Sequence, residues 1–280
     1  MNMLKIRLYD NEFAHIPSYC GYDAPQYIEW DRSGEHQDVS VFTEGCLDLV
    51  DGCDSKVKIA WLIEPEAVHP KGYADMAKGL WKKFDYVMSH NRPLADSVPN
   101  WIFFPSGGSW VWRRDWSMYG KDLNVSIVAS TKNWTEGHML RQLVIKELGD
   151  KFDLVCGYGR NTVEPKLDIF KRYRFTVVIE NSKVPHYWTD KLIDVFAAGT
   201  VPIWWGDKSI EKHFNIDGIL AWETIDDLSK ILDEVRSSGE SLYSRMLPAV
   251  GDNFSRAKEF CVVEDYLYKT FFKRFETEGA

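Results

Sequence analysis

Residues 175–206, FTVVIENSKVPHYWTDKLIDVFAAGTVPIWWG, contain two apolar segments joined by a polar connection and a helical segment. The segments 175–179 and 201–205 are short and apolar, which is typical of buried strands. Between them, residues 189–198 read as a helix, with Thr189 as a plausible N-cap and Gly199 suited to close the helix. Strand, helix and strand in this order predict a parallel α/β sheet.

The same alternation extends along the second half of the chain and more weakly along the first. Strands are predicted at 124–129 and 153–156 and helices at 136–148, 165–173, 207–214, 224–237, 240–250 and 263–275. In the first half, strands are predicted at 4–9, 57–63, 84–88 and 101–104 and a helix at 73–83. The pattern restarts near residue 122, after a loop rich in Gly, Ser and Trp. We therefore predict an N-terminal domain over 1–122, a C-terminal domain over 123–262, and a last helix over 263–280 that packs back on the N-terminal domain.

Composition and charge disfavour nucleic-acid binding, membrane-spanning and secreted proteins. The net charge is −8, which disfavours a basic groove for nucleic acid. No apolar segment approaches the length of a membrane span, so we expect at most a weak peripheral contact with a membrane surface through 263–275. The five cysteines lack CxxC spacing and the N-terminal residues lack a signal-peptide pattern, so we expect a cytoplasmic protein.

The connection 180–190 lies where parallel sheets bind ligands, beyond the carboxyl end of a strand. The N–H groups at the start of the following helix favour an anion, and Lys191 adds a positive charge. Asp190 and Tyr187 suit the hydroxyl groups of a ribose. These features indicate a nucleotide site. The alternative is an N-cap, a first-turn acid and a surface lysine, which many helices have.

Residues 175–206 resemble the donor-site motif of the α1,3/4-fucosyltransferases, glycosyltransferase family 10. That motif runs F-x-x-x-x-E-N-[ST], then Y-x-T-[ED]-K-x-x-[DN]-x-[FY], then P-[IV]-x-x-G. Residues 126–148, 207–215 and 58–66 are similar to neighbouring parts of the family. The resemblance implies an α/β, GT-B-like fold in which two Rossmann-like parallel-sheet domains face a cleft, with the acceptor bound by the N-terminal domain and a GDP-sugar by the C-terminal domain.

The resemblance also assigns roles to residues of the C-terminal domain. It implies that Arg141 and Lys191 bind the donor diphosphate, that Asp190 and Tyr187 contact the nucleoside, and that Asn181 contacts the donor sugar. Glu180 either contacts the donor sugar or braces the loop. Asp190 departs from the Glu that is usual before this Lys, which keeps the charge and shortens its reach.

Glu64 stands where the family has a strand that ends in its proposed catalytic Glu, and we expect it to be the general base. An acceptor hydroxyl is too weak an acid to attack unaided, so a carboxylate must take its proton. The alternatives are Glu66, two residues further along, and then Asp85 or Glu44. Leu62 and Ile63 depart from the family, which commonly has a polar residue and Gly there.

The function implied is an inverting, metal-independent transfer of fucose from GDP-fucose to a hydroxyl of an N-acetylglucosamine-type acceptor in a surface glycan. No cofactor is expected, and the partners are the GDP-sugar and an oligosaccharide or glycoconjugate. One alternative is the same fold with another GDP-hexose or deoxyhexose donor. Another is a non-catalytic carbohydrate-binding protein, which the twelve Trp residues would suit.

Overall fold

The chain forms two compact units in a computed structural model that describes residues 3–11, 17–92, 96, 99–105, 107–156 and 166–276. By internal contacts, the first unit consists of Met1–Gly108, Pro185–Tyr187 and Val262–Ala280, and the second of Ser109–Val184 and Trp188–Cys261. The contacts place the first boundary at Gly108, whereas the sequence pattern places it at 122. The loop that separates the two patterns therefore groups with the second unit.

The first unit contains a six-stranded parallel sheet with the strand order β2-β1-β3-β4-β5-β6. Its strands are β1 (Leu4–Tyr9), β2 (Ile28–Asp31), β3 (Val39–Thr43), β4 (Val57–Leu62), β5 (Tyr86–Ser89) and β6 (Trp101–Phe103). Its α-helices with bounds inside the described residues are α1 (Pro70–Ala77) and, near the end of the chain, α6 (Val263–Thr270), and 3-10 segments cover Glu44–Gly52, Leu80–Lys83 and Phe272–Glu276.

The central strand β4 is buried on both faces. Ile59 and Trp61 pack into one apolar cluster with residues of α6, and Ala60 and Leu62 pack into a second cluster on the other face. Successive side chains of a strand point to opposite faces, so an unbroken apolar segment is what a sheet covered on both sides requires.

Helix α6 is joined to the start of the chain by a buried carboxylate. Glu264, which is 0% exposed, accepts hydrogen bonds from the backbone N–H of Tyr19 (2.6 Å) and the indole N–H of Trp30 (3.1 Å). Tyr268 stacks on Tyr27 with ring centroids 4.7 Å apart. The last helix of the chain thus completes the core of the first unit.

The second unit contains a five-stranded parallel sheet with the strand order β11-β10-β9-β7-β8. Its strands are β7 (Leu123–Val128), β8 (Leu154–Cys156), β9 (Tyr173–Ile179), β10 (Val201–Trp205) and β11 (Leu220–Ala221). Its α-helices are α2 (Glu136–Leu148), α3 (Lys166–Phe170), α4 (Asp190–Ala197) and α5 (Ile225–Ala257), and 3-10 segments include Arg113–Asp115, Gly149–Lys151, Lys208–Lys212 and Ile216–Gly218.

The α/β prediction with two parallel sheets is confirmed, and the differences are local. The predicted helices 224–237 and 240–250 form one element, α5, with a non-helical residue at Ser238. The predicted helix 207–214 is the 3-10 segment Lys208–Lys212, and β2 and β3 were not predicted. All five residues of β3 are buried, so it lacks the alternation that marks a half-buried strand. In the described part of the chain, no helix is both long and apolar enough to cross a membrane.

The buried carboxyl of Glu264 should make the free energy of unfolding fall as pH rises. Burial raises the pKa of its carboxyl from 4.5 to about 7. The pKa of Glu264 is higher in the folded than in the unfolded protein. Its contribution to the free energy of unfolding is therefore full below pH 4.5 and is lost as pH rises through 7. We expect a loss of about 3 kcal/mol in the free energy of unfolding between these limits, from the size of the pKa shift. Urea denaturation followed by Trp fluorescence from pH 4.5 to 8.5 measures it.

The matched variants for this prediction are Glu264→Gln and Glu259→Gln. Glutamine resembles the neutral carboxyl and cannot ionise, so the pH dependence should become shallower in the first variant, while the part due to Glu44, whose pKa is raised to about 8, remains. Glu259 is exposed and should leave the wild-type dependence intact. Equal slopes in Glu264→Gln and wild type would contradict the assignment.

Candidate active site

A buried carboxylate holds the connection between β9 and α4. Glu180 follows β9 directly and is 0% exposed. Its Oε1 accepts hydrogen bonds from the backbone N–H (2.9 Å) and hydroxyl (3.0 Å) of Thr189, the N-cap of α4. Its Oε2 lies 3.3 Å from the ammonium of Lys191, which also donates to the Thr189 hydroxyl at 3.0 Å. A buried carboxylate needs such partners, so Glu180 fixes the start of α4 and the position of the Lys191 charge.

Arg141 connects helix α2 to the carboxyl end of β9. Its Nε and Nη2 donate to the carbonyl oxygen of Ile179 at 3.0 and 2.7 Å, and Nη2 also donates to Oδ1 of Asn181 at 2.8 Å. The residue is only 6% exposed. These contacts hold the guanidinium in one orientation at the edge where parallel sheets bind ligands.

The first turn of α2 contacts the backbone after β9 directly. The backbone N–H of Gly137 donates to the carbonyl oxygen of Asn181 at 3.0 Å. A Cβ at position 137 would lie 1.6 Å from the carbonyl oxygen of Glu180. Only glycine permits this approach, and the approach is what brings Arg141 within reach of β9.

Lys166 of α3 forms a buried ion-pair group with two carboxylates of α4. Its Nζ lies 2.5 Å from Asp190 Oδ2 and 2.7 Å from Asp194 Oδ2. Asp194 also accepts hydrogen bonds from the hydroxyl of Ser109 and the backbone N–H of Trp110, both at 2.8 Å. Burial opposes charge on Asp190, but Lys166 brings its pKa below the usual value, whereas burial raises the pKa of Asp194. The ionised partner of Lys166 is therefore chiefly Asp190.

A cavity of about 320 Å³ lies over the carboxyl halves of β7 and β9 in the second unit. That volume is within the range of small-molecule sites. One wall is apolar, and the charged side chains are contributed by the three helices α2, α3 and α4. Its lining residues are Val128, Ala129, Ser130, Arg141, Lys166, Phe170, Thr176, Val177, Val178, Ile179, Asp190, Lys191 and Val195.

His138 lies in the first turn of α2 and is 4% exposed. Burial, together with the charges of Arg141, Lys132 and Lys191, lowers the pKa of His138 to about 4. The imidazole is therefore neutral at neutral pH. The positive charge that faces the cavity is supplied by Arg141, Lys191 and the partly neutralised Lys166.

In the first unit, Glu64 follows β4 at the carboxyl edge of the six-stranded sheet and is half-buried. Its Oε2 accepts a hydrogen bond from the hydroxyl of Tyr187 at 2.6 Å, and its carbonyl oxygen accepts one from the hydroxyl of Tyr73 at 3.0 Å. A hydroxyl–oxygen distance of 2.6 Å is typical of a bond to a carboxylate.

Glu44 lies beneath this turn. Its Oε1 accepts hydrogen bonds from the backbone N–H groups of Ile63 and Glu64, the latter at 2.6 Å. Burial raises the pKa of Glu44 to about 8, and the charge of Glu64 acts in the same direction. At neutral pH Glu44 is therefore mainly neutral, and it orders the backbone of the turn without placing a full negative charge beside Glu64.

Glu66 and Asp85 lie in less suitable places for a general base. Glu66 is exposed, and no polar contact to its side chain is found in the described ranges. Asp85 accepts the backbone N–H of Lys58 at 2.7 Å, at the start of β4 and thus at the sheet edge opposite Glu64. The role of Glu64 stays a prediction, and its hydrogen bonds favour it over Glu66 and Asp85.

Comparison with known proteins gives one match to a family. Residues 119–246 match the profile described as glycosyltransferase family 10 (fucosyltransferase) C-term. The prediction from the donor-site motif is confirmed for this segment. Residues 119–246 belong to glycosyltransferase family 10.

Relatives of the family-10 segment match over short lengths. The alpha-(1,3)-fucosyltransferase FucT of Helicobacter pylori is 38% identical over 63 residues, which are 21% of this chain and 13% of that relative. The chain thus spans only a small part of this curated relative.

Solved structures match over nearly the whole chain. An α1,3-fucosyltransferase has a TM-score of 0.55 at 16% identity, covering 93% of this chain and 90% of its own. An α-glucosyltransferase in complex with UDP-glucose and DNA has a TM-score of 0.56 at 12% identity, covering 100% of both chains. At these identities the likeness establishes the GT-B fold alone.

Within the family-10 segment, the structure brings most of the predicted donor residues together. Arg141, Lys191 and Asp190 line one cavity, and Asn181 and Glu180 hold the first two of these in place. The contacts of Glu180 support the bracing role. The nucleoside role of Asp190 stays a prediction, with its carboxylate paired to Lys166.

Tyr187 groups with the first unit, and its hydroxyl contacts Glu64. Its nucleoside role stays a prediction. Sequence reasoning missed Lys166, because the predicted helix 165–173 has no charge pattern that links it to α4. It also missed the position of His138, although that residue lies one turn before Arg141 along α2.

Gly137→Ala should separate α2 from β9. The added methyl group would overlap a backbone oxygen that cannot move aside, so we expect a loss of about 1–3 kcal/mol or more in stability. Arg141 would also be displaced, and affinity for a diphosphate nucleotide should fall. Thermal unfolding and nucleotide titration measure the two effects. The control is Gly149→Ala at the other end of α2, where a Cβ would meet nothing within 4 Å. Equal behaviour of the two variants would contradict the close-approach argument.

Proposed function

We propose that the protein is an inverting, metal-independent fucosyltransferase that moves fucose from GDP-fucose to a hydroxyl of an N-acetylglucosamine-type acceptor in a glycan. The observation that supports this most is the cavity of the family-10 segment, which two oriented cations, Arg141 and Lys191, line beside the end of β9. Solved structures of the same fold include an α1,3-fucosyltransferase with GDP-fucose.

In this proposal Arg141 and Lys191 bind the diphosphate of the donor. As the bond between the anomeric carbon and the diphosphate oxygen breaks, its electron pair leaves with GDP and negative charge grows there. Cations that are already oriented stabilise that charge without reorganisation. Their own contacts supply the orientation, because Arg141 is held by Ile179 and Lys191 by Glu180.

Glu64 is the base in the same reaction. The acceptor O–H bond breaks and its proton passes to Glu64, while the acceptor oxygen forms the new bond to the anomeric carbon. A single displacement of this kind inverts the configuration at that carbon. The Tyr187 hydroxyl donates a hydrogen bond to the Glu64 carboxyl, and burial keeps the neighbouring Glu44 mainly neutral.

Nucleotide binding tests the donor assignment. At 100 times its Kd, GDP should raise the melting temperature by about 5 °C, and UDP and dTDP should raise it less. Lys191→Ala should weaken GDP binding about tenfold or more, because a charge-assisted contact to phosphate is lost. Lys212→Ala, an exposed lysine of the same unit, is the control. Stabilisation by UDP and not by GDP would overturn the donor assignment.

Glu64→Gln tests the base. Turnover of GDP-fucose should fall by about 10²- to 10⁴-fold, since a positioned general base contributes that much. The melting shift produced by GDP should not change, because in this proposal Glu64 acts on the acceptor hydroxyl while Arg141 and Lys191 bind the diphosphate. Glu66→Gln is the matched control. Loss of turnover in the control, with near-normal turnover in Glu64→Gln, would transfer the role to Glu66.

A further inference from the structure

Tyr187 belongs to the donor-site motif in sequence and to the first unit in space. The segment Pro185–Tyr187 groups with the first unit, while Val184 and Trp188 group with the second. Its ring lies 5.1 Å from that of His90, which follows β5, and the side chain is 2% exposed. The Tyr187 side chain is therefore packed into the first unit, with its hydroxyl at the Glu64 carboxylate.

Two other groups fix the main chain that carries Glu64. The carboxyl of Glu44 accepts the backbone N–H of Glu64, and the hydroxyl of Tyr73 donates to its carbonyl oxygen. Tyr187 is different, because its hydroxyl bonds to the carboxylate itself.

We propose that Tyr187 is a positioning residue for the base, whose hydroxyl binds Oε2 of Glu64 and directs Oε1 toward the acceptor. This inference rests on the proposed function. In the part of the chain that the structure describes, no group donates a hydrogen bond to Oε1 of Glu64. Oε1 is therefore the oxygen that can take the acceptor proton, while Oε2 keeps its bond to Tyr187.

The hydrogen bond has an electrostatic consequence as well as a geometric one. A donor to the charged form of a carboxyl stabilises that form. Among the described residues, the titratable groups near Glu64 include Glu44, Glu66 and Tyr73, while His90 lies beside the Tyr187 ring and is itself affected by the charge of His186. Burial lowers the pKa of His90 to about 4, and it is therefore neutral. Tyr187 is thus the one described group that donates directly to the base carboxylate, so its loss should alter the pH range over which the base works.

Tyr187→Phe tests the inference, with GDP release from GDP-fucose measured with N-acetylglucosamine or with water as acceptor. We expect kcat to fall about 10- to 100-fold, the range expected for a lost hydrogen bond to a charged group. The KM for GDP-fucose should stay within about threefold, because no donor contact is removed. The acid limb of the pH–rate profile should move to higher pH, because protonation of Glu64 becomes easier.

Tyr73→Phe is the matched control. It removes a tyrosine hydroxyl that bonds to the same residue, but at the backbone oxygen. It should lower stability or turnover without moving the acid limb. A second measurement replaces Tyr187 by 3-fluorotyrosine, which keeps the ring and makes the hydroxyl a stronger donor. The acid limb should then move to lower pH.

The outcomes separate the inference from the function on which it rests. A raised KM for GDP-fucose in Tyr187→Phe, with kcat and the acid limb unchanged, would return Tyr187 to the nucleoside and overturn the inference. The inference would also be overturned if the acid limb of the pH–rate profile stayed at the wild-type pH in both variants at position 187. Near-normal turnover in Glu64→Gln would instead remove the base assignment of the proposed function, whatever Tyr187 does.

Discussion

The arrangement of the second unit depends on one buried charge. Glu180 is fully buried at the end of β9, and a carboxylate in that position is stable only if donors reach it. Thr189 and Lys191 supply those donors from the start of α4. The connection that leaves β9 must therefore return to it, and α4 begins beside the end of that strand. The position of the cavity and of the Lys191 charge follows from this requirement.

The first unit also has a buried carboxyl beneath a turn, but with a different charge state. Glu44 is also buried beneath a turn that follows a strand, but the described groups that reach its carboxyl are backbone N–H groups, with no cation among them. Burial therefore leaves it mainly neutral, whereas Glu180 keeps a cation beside it. One carboxyl thus orders a turn without adding charge near Glu64, and the other fixes a charge at the cavity. Both side chains are buried, so their different charge states arise from the groups that contact each carboxyl.

The sequence predicts the second unit more fully than the first, for physical reasons. Helix 136–148 and strand 201–205 agree with the structure at both ends, because their periodicity and flanking residues are strong. Strand β3 and its pairing with β1 and β4 depend on contacts between distant segments, which local patterns do not record. Arg141 and Lys191 were predicted from a motif. The ion pair of Lys166 and the contact of Tyr187 with Glu64 join residues 24 and 123 positions apart, and neither pair forms a pattern in the chain.

The turn that carries Tyr187 also contains the one residue other than glycine, in the described chain, with a positive φ. His186 has a φ of 61°, in the left-handed region that costs about 1–2 kcal/mol for a residue with a Cβ. Its ring lies 4.9 Å from that of Phe103, which offers a compensating contact. Asparagine or glycine would relax this backbone but lose the aromatic contact. The aromatic contact of His186 therefore offsets the cost of its backbone conformation and fixes the turn. A related chain could carry another residue at this position only where a different contact holds the turn in place.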